Sequence, residues 1–400
     1  MYDVIVVGAR CAGSSVGMLL ARRGRKVLIL DRNAFPSDRL ASTHMVWHSG
    51  VAHLSHWGLL DRLAATGCPP MRNFNLDLGE LVATGRAPSA GDVAESYAPR
   101  RIVLDDLLVT AAREAGAEVR TQCPVRDLIM EDDRVAGVRF SDEGGKIHEG
   151  RAPLVVGADG EKSTVARLVG AASYEVQGRI AGAIWAYFSG LPIDDMEFYA
   201  RPGRMVYAWR TNDDLTVAGI CFPFADFRAA LGDRGTMMPA ELDALAPGFG
   251  ERVRAADRVS RWRTGCATSF CRTPVGKGWC LVGDAGLTMD PITAAGITNA
   301  FRDAALLAEA VDQGLSGDLD TALGSFEERR NALSLPLYQF TSQMARLEPP
   351  TQEVIDLFVG LARSQEDADA YFGVFAQTVL VSEFFAPENL QRISAAAGPA

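Results

Sequence analysis

The chain carries no excess of positive charge: 40 lysines and arginines stand against 50 aspartates and glutamates, a formal net charge of -10. That balance argues against nucleic acid or an anionic membrane surface as the main partner, since both attract through phosphate charge. No stretch of about 18 or more uncharged apolar residues occurs, so no membrane span is expected. No CxxC pair exists among the seven cysteines (Cys11, Cys68, Cys123, Cys221, Cys266, Cys271 and Cys280). An odd, scattered set reads as reduced thiols rather than a disulfide framework. The sequence opens directly on a strand-like run with no signal-peptide pattern ahead of it, and a soluble cytoplasmic protein is expected. Internal repeats and low-complexity tracts are absent as well. What remains is an ordinary globular composition, 48% hydrophobic and 22% charged over 400 residues. It has room for two or three folded units of ~100–200 residues.

The first informative pattern lies at the start. Residues 3–7 (DVIVV) form an apolar run, followed by Gly8-Ala9-Arg10-Cys11-Ala12-Gly13 and then Gly17. A helical stretch runs to about Arg23, Gly24 closes it, and residues 26–30 (KVLIL) read as a second buried strand ending at Asp31. Strand, glycine turn, helix, strand and acid in this order make a dinucleotide-binding unit. Gly8 permits the tight turn, Gly13 lets the helix start close to a diphosphate, and Gly17 lets helix and sheet pack. The helix N-terminus offers free N–H groups to phosphate, and Asp31 is placed to accept hydrogen bonds from the adenosine ribose. Arg10 replaces the usual second glycine; its Cβ crowds the pyrophosphate, while its guanidinium is able to pair with one.

Two further patterns follow. Arg100-Arg101 precede an amphipathic segment with Leu104, Leu107, Leu108, Ala111, Ala112 and Ala115 on one helical face, closed by Gly116. Strand-like runs at 118–120, 125–130, 134–140 and 146–148 predict a small antiparallel meander. The apolar run 154–156 then leads to Gly157-Ala158-Asp159-Gly160, with Ser163 and Arg167 beyond. Far downstream a strand ends in Gly283-Asp284-Ala285-Gly286. It passes through Asp290-Pro291 into a helix with Ile297, Phe301, Ala304, Ala308 and Val311 on one face.

In this set, GARCAG, GADGxxSxVAR and GDAGxxxDPxxAxGI, the sequence resembles the flavoprotein monooxygenases related to para-hydroxybenzoate hydroxylase and their geranylgeranyl-reductase-like cousins. The resemblance covers the first ~315 residues in order and spacing. It implies an FAD site, with 157–160 supporting the diphosphate and substrate side and Asp284 on the ribityl chain. It also implies a helix from near Thr293 aimed at the flavin ring, and Arg101 near the ribityl and phosphate. A helix N-terminus there stabilises the negative charge of reduced flavin without a titratable group. Pro291 removes a donor and stiffens the approach. The expected cofactor contacts are Gly8, Arg10, Cys11, Ala12, Gly13, Asp31, Arg32, Arg101, Asp159, Gly283, Asp284, Pro291, Ala295 and Gly296. Met289 stands where relatives often carry lysine, which leaves no charge there to tune the flavin.

The implied fold is α/β: a three-layer Rossmann-like FAD-binding domain (1–70, 98–170 and 266–317), an inserted antiparallel substrate sheet (71–97 and 171–265), and a helical C-terminal region (318–400). In that last region 323–346 is expected to break at Pro336, and Thr351 to cap a further helix. The implied reaction is monooxygenation of an apolar, aromatic or polyketide-like small molecule. NAD(P)H serves as a transient co-substrate, O2 as oxidant and a C4a-hydroperoxyflavin as the oxygen donor. A reductase or dehydrogenase of the geranylgeranyl-reductase type shares the same motifs, and a non-catalytic flavin-binding protein is a third reading. A halogenase is disfavoured by the absence of a W-x-W-x-I-P segment. A monomer or homodimer is expected.

Histidine is scarce, five in all, yet His44, His48, His53 and His56 crowd together. On a helix His44 and His48 would share a face as metal ligands do, but without cysteine or acid partners nearby no metal is expected. His44 is instead the candidate catalytic group beside Pro291, on the idea that a histidine shifts a proton near neutral pH, with a purely structural role as the other reading. Between 178 and 224 lie strand-like runs rich in rings. Trp185, Tyr187, Tyr207, Trp209 and Phe222 are the candidate substrate contacts, although any one of them reads equally as sheet core.

Overall fold

A computed structural model describes residues 1–39 and 41–396. Its first sheet has six strands in the order Val275–Gly276, Trp279–Leu281, Leu154–Gly157, Val4–Val7, Val27–Leu30 and Glu118–Arg120. All neighbours are parallel except the Val275–Gly276 edge hairpin. Side chains of a strand alternate between faces, and here both faces are covered. Val4, Val6, Val27 and Ile29 pack on the helices Cys11–Arg22, Arg101–Glu114 and Gly296–Gly314. Ile5, Val7, Leu28 and Leu30 pack on Leu128, Val135, Val138 and Phe140 of a three-stranded meander. This is the three-layer α/β arrangement, and its near-continuous apolar strands are what a doubly covered parallel sheet requires. Burial of each such Val, Leu or Ile contributes about 1.5–3 kcal/mol.

The meander comprises Val125–Glu131, Arg134–Ser141 and Ile147–Arg151. Glu118–Arg120, expected to belong to it, instead joins the main sheet beside Val27–Leu30. Only after Asp31 and Arg120 does the chain turn away, with Cys123 N–H donating to Asp31 O at 2.7 Å.

A second sheet of eight strands carries the ring-rich segment. Ala181–Ser189, Leu215–Pro223, Arg204–Thr211 and Met196–Arg201 run antiparallel in that spatial order, and Phe74–Asp77 adds to Met196–Arg201 in parallel. One face packs on the helices Phe224–Ala230, Arg234–Leu245 and Pro247–Ala255 through Phe227, Met238, Leu242 and Phe249. The other turns inward, and its cluster also takes in Leu357, Leu361, Tyr371, Phe372 and Phe384 of the C-terminal helices.

In the C-terminal region Leu319–Ala345 is one helix that runs through Pro336 without the expected break. Proline costs the helix a donor and crowds the preceding turn; here buried Phe326, Leu337 and Tyr338 on either side hold the axis. Thr351 does cap Gln352–Arg363, its hydroxyl accepting from Val354 N–H. No helix among the described residues is long and apolar enough to cross a membrane.

Candidate active site

The ends of the parallel strands and the inner face of the second sheet open onto one cavity of about 970 Å³. That is the upper end of the range for small-molecule sites, ~300–1,000 Å³. One end is built from backbone turns. Gly8 has φ 104°, and a Cβ there would lie 2.4 Å from Ala158 O. A Cβ on Gly13 would lie 1.9 Å from Gly8 O, so turn and helix touch where only hydrogen fits. The helix Cys11–Arg22 has no side-chain cap, and neither has Gly296–Gly314. Gly8, Cys11, Ala12 and Gly296 all line the cavity. Two uncapped helix starts therefore present free N–H groups there, a setting that favours anions.

Charged side chains complete this end. Asp31 Oδ2 accepts from Ala9 N–H at 2.8 Å and Oδ1 from Asn33 N–H at 2.8 Å, which fixes the carboxylate at the rim beside Arg32. Asp159 is held differently: it accepts from Ser163 Oγ and, at 2.6 Å, from Thr164 N–H, which ties it to the start of the short helix that Ser163 caps. Burial raises its pKa, with those hydrogen bonds pulling the other way. Gly283 (φ 60°) turns the chain so that Asp284 opens onto the cavity. The protein mass around Asp284 raises its pKa, opposed by Arg101 and Arg39.

Asp105 has no sequence signature, yet it organises this region. Fully buried, it accepts from Arg101 at 2.8 and 3.0 Å and also pairs with Arg10. Arg10 thus does not hang free at the missing glycine. Asp105 holds it, Ser37 Oγ accepts from it at 3.1 Å, and its guanidinium lies over the Phe35 ring. Cys11 Sγ lies 3.5 Å from Asp105 Oδ1, and burial raises its pKa to about 12, which keeps it a neutral packing thiol.

The approach to the third motif differs from the expectation. No helix begins at Thr293; Pro291–Thr293 is a 3-10 turn, Ala294 has φ 51°, and the helix starts at Gly296. Asp290 causes this. It accepts from Ile292 N–H at 3.1 Å to cap the turn, and from Ala181 N–H at 2.9 Å on the second sheet. Its burial raises its pKa to about 6. Pro291 and Gly296 face the cavity, whereas the Ala295 side chain turns into a separate cluster with Leu337 and Tyr338. Gly13 likewise does not reach the cavity wall, since it is pressed against Gly8.

The other end is apolar. Reading straight across the strands, Leu76, Phe198, Tyr207, Gly219 and Trp185 are register partners in one row. All are on the inner face, and a Cβ at Gly219 would lie 2.7 Å from the Tyr207 hydroxyl, so glycine lets that ring lie across the sheet. Tyr207 stacks on Trp209 at 4.8 Å, and Trp209 Nε1 donates to Thr43 O at 2.9 Å. Trp185, Tyr207 and Trp209 line the cavity; Phe222 does not. The period of two places Phe222 on the outer face with Phe227, because Ala183, Trp185 and Cys221 occupy the inner positions. Tyr187 faces inward but stands behind His44, its hydroxyl bonded to His44 Nε2.

His44 lines the cavity at φ 74°, ahead of the helix His48–His56, so it shares no helical face with His48. Burial, reinforced by Arg101, Arg100 and Arg263, lowers its pKa to about 3. Burial and these guanidinium groups therefore act against the proton exchange near neutral pH that the residue type alone suggests. Burial raises the Tyr187 hydroxyl to about 12, and Arg263 lies over its ring at 4.9 Å. Sequence reasoning also missed Met344, Tyr371, Phe372 and Phe375, which close the apolar end from the C-terminal helices. Their only signal is helical apolar periodicity, which any packed helix shows.

The family model described as FAD binding domain matches residues 1–341. A digeranylgeranylglycerophospholipid reductase of Methanosarcina acetivorans is 30% identical over 339 residues, covering 82% of this chain and 79% of that protein. A 1H-pyrrole-2-carbonyl-[peptidyl-carrier protein] brominase of Pseudoalteromonas luteoviolacea is 24% identical over 328 residues, 79% of each chain. Among solved structures, a probable FAD-dependent monooxygenase from Pseudomonas aeruginosa superposes with a TM-score of 0.74 at 21% identity, over 94% of this chain and 99% of that one.

Proposed function

The chain belongs to the FAD binding domain family and is an FAD-dependent oxidoreductase, and from that premise we propose that it is a monooxygenase. It uses NAD(P)H and O2 to hydroxylate or epoxidise an apolar, aromatic or polyketide-like small molecule. The observation that carries this reading is that the three FAD motifs and the ring-lined sheet line one and the same cavity. Bound FAD supplies the two-electron redox chemistry and the activation of O2, which no side chain here offers. The overall balance is R–H + O2 + NAD(P)H + H⁺ → R–OH + NAD(P)⁺ + H2O.

The chain's own residues have separate tasks. Gly8, Cys11 and Ala12 would present backbone, and Arg10 and Arg101 their guanidinium groups, to the diphosphate, Asp31 and Arg32 would hold the adenosine side, and Asp284, near Arg101, would meet the ribityl side. Pro291, Ala294 and Gly296 bring the second uncapped helix start to the flavin ring, where its partial positive charge favours the anionic reduced state. Trp185, Tyr207 and Trp209 bind and orient the substrate and exclude water from it. His44, neutral and tied to Tyr187, is a fixed wall of the reaction chamber rather than a titrating base. NAD(P)H visits from the surface, since the chain holds a single dinucleotide fingerprint.

A second reading is reduction of a carbon–carbon double bond, favoured by the 30% identity to the Methanosarcina reductase. The two part in one experiment. The FAD-loaded protein is turned over with NADPH, 2-naphthol and ¹⁸O2, and the products are weighed by mass spectrometry. One ¹⁸O atom per product molecule supports the monooxygenase. NADPH-dependent gain of two hydrogens by an alkene probe under nitrogen, with no ¹⁸O in any product in air, replaces it with the reductase.

A further inference from the structure

The wall of the cavity is divided by charge. Every lysine, arginine, aspartate and glutamate in it comes from the segments 10–39, 101–126, 159–162 and 284–290. The second sheet and the C-terminal helices contribute Phe, Leu, Ala, Trp, Met, Tyr, Gly and Cys and no charge at all. The groups there able to ionise stay neutral: burial raises the Tyr207 and Tyr371 hydroxyls and the Cys221 thiol well above their usual ranges. A carboxylate entering this end would leave water and find no cation, at a cost no apolar contact offsets.

One wall of this neutral compartment is made by residues beyond the FAD motifs. Phe372 stacks on Phe74 with centroids 4.8 Å apart, and Phe74 stacks in turn on Trp47 at 5.6 Å. Phe375 meets Phe340 edge-on at 5.7 Å, and Tyr371 meets Phe372 at 5.7 Å. The rings pack on one another, so each holds its neighbour in place along this wall.

We propose that this compartment binds an uncharged, ring-bearing substrate and that Tyr371, Phe372 and Phe375 are specificity-determining residues that set its length. The proposal rests on the assignment of the charged end to FAD, and it does not depend on what happens to oxygen.

Binding tests it. The FAD-loaded full chain is titrated with 2-naphthol and with 2-naphthoate, read by the perturbation of the flavin absorbance spectrum. The naphthol is expected to bind at least ~10-fold more tightly than the naphthoate, the smallest penalty consistent with an unpaired charge in an apolar site. Phe372→Ala and Phe375→Ala, each confirmed to retain FAD, are expected to raise the affinity for 4-phenylphenol relative to 2-naphthol by a similar factor. Phe372→Leu supplies a milder truncation if the alanine variants fail to fold. Equal binding of naphthol and naphthoate, binding of neither, or a 4-phenylphenol preference unmoved in every variant that folds would overturn the proposal. Because the readout needs no turnover, a failed ¹⁸O experiment alongside the expected binding pattern would remove the monooxygenase reading and leave this one standing.

Discussion

Asp105→Asn is the sharpest perturbation the site offers. The carboxylate is fully buried and is shared by Arg101, whose side chain is 11% exposed, and Arg10, at 22%. The asparagine has the same shape and keeps one acceptor oxygen, but it takes away the buried counter-charge that two close guanidinium groups share. Removing one partner of a buried ion pair costs about 3–5 kcal/mol, mainly because the remaining charge is stranded. Both arginines also line the cavity, so a bound diphosphate would supply the missing negative charge. The variant is therefore expected to lose about 3–5 kcal/mol of stability without FAD and distinctly less with it. Urea unfolding followed by tryptophan fluorescence, with and without saturating FAD, measures both numbers. Any ligand that binds only the folded state raises stability, so the telling quantity is the difference between variant and parent in that rise. A gain from FAD no larger in the variant than in the parent would show that Arg10 and Arg101 do not face the diphosphate.

Gly13→Val should yield a colourless protein, because its side chain would begin 1.9 Å from Gly8 O and force helix and turn apart; flavin absorbance after gel filtration reads this directly. Phe222→Ala should cost about 3–5 kcal/mol of stability while leaving 2-naphthol affinity unchanged, since that ring packs outside the cavity; a weakened affinity with intact FAD content would place it in the site after all. Neutral burial of His44, with its pKa lowered to about 3, stabilises the fold above the unfolded value near 6.5, and this contribution is lost as pH falls from there towards 3. Parent protein should lose about 2 kcal/mol between pH 6.5 and pH 5 that His44→Gln does not lose; parallel stability–pH curves for the two would refute it.

The parts legible in the sequence are those in which local chemistry and global fold ask for the same residues. Gly8, Gly13 and Asp31 sit at fixed offsets in one strand–helix–strand unit, and the apolar runs 4–7, 27–30 and 154–157 have no polar alternative to a doubly covered sheet. Illegible parts depend on partners far away in the chain. Nothing near Asp105 predicts that Arg10 will share it, 95 positions apart. Phe222 and Cys221 are adjacent, so a register shifted by one residue exchanges which of them meets the substrate. The ring-rich composition of the segment reveals neither. Pro336 misleads for a related reason, since its local cost is set against packing from both ends of a long helix.

His44 illustrates how environment overrides residue type. From its identity alone it is a proton carrier at neutral pH; buried near Arg101, Arg100 and Arg263 it is a neutral ring with its Nε2 committed to Tyr187. Burial disfavours an imidazolium there, and the same guanidinium groups that suit an anionic cofactor add to that effect. A cavity that gathers its charged side chains, acidic and basic alike, at one end and keeps them from the other disfavours a titrating base at His44 near neutral pH. That fits chemistry in which the cofactor carries the electrons and the protein orients a neutral molecule against it.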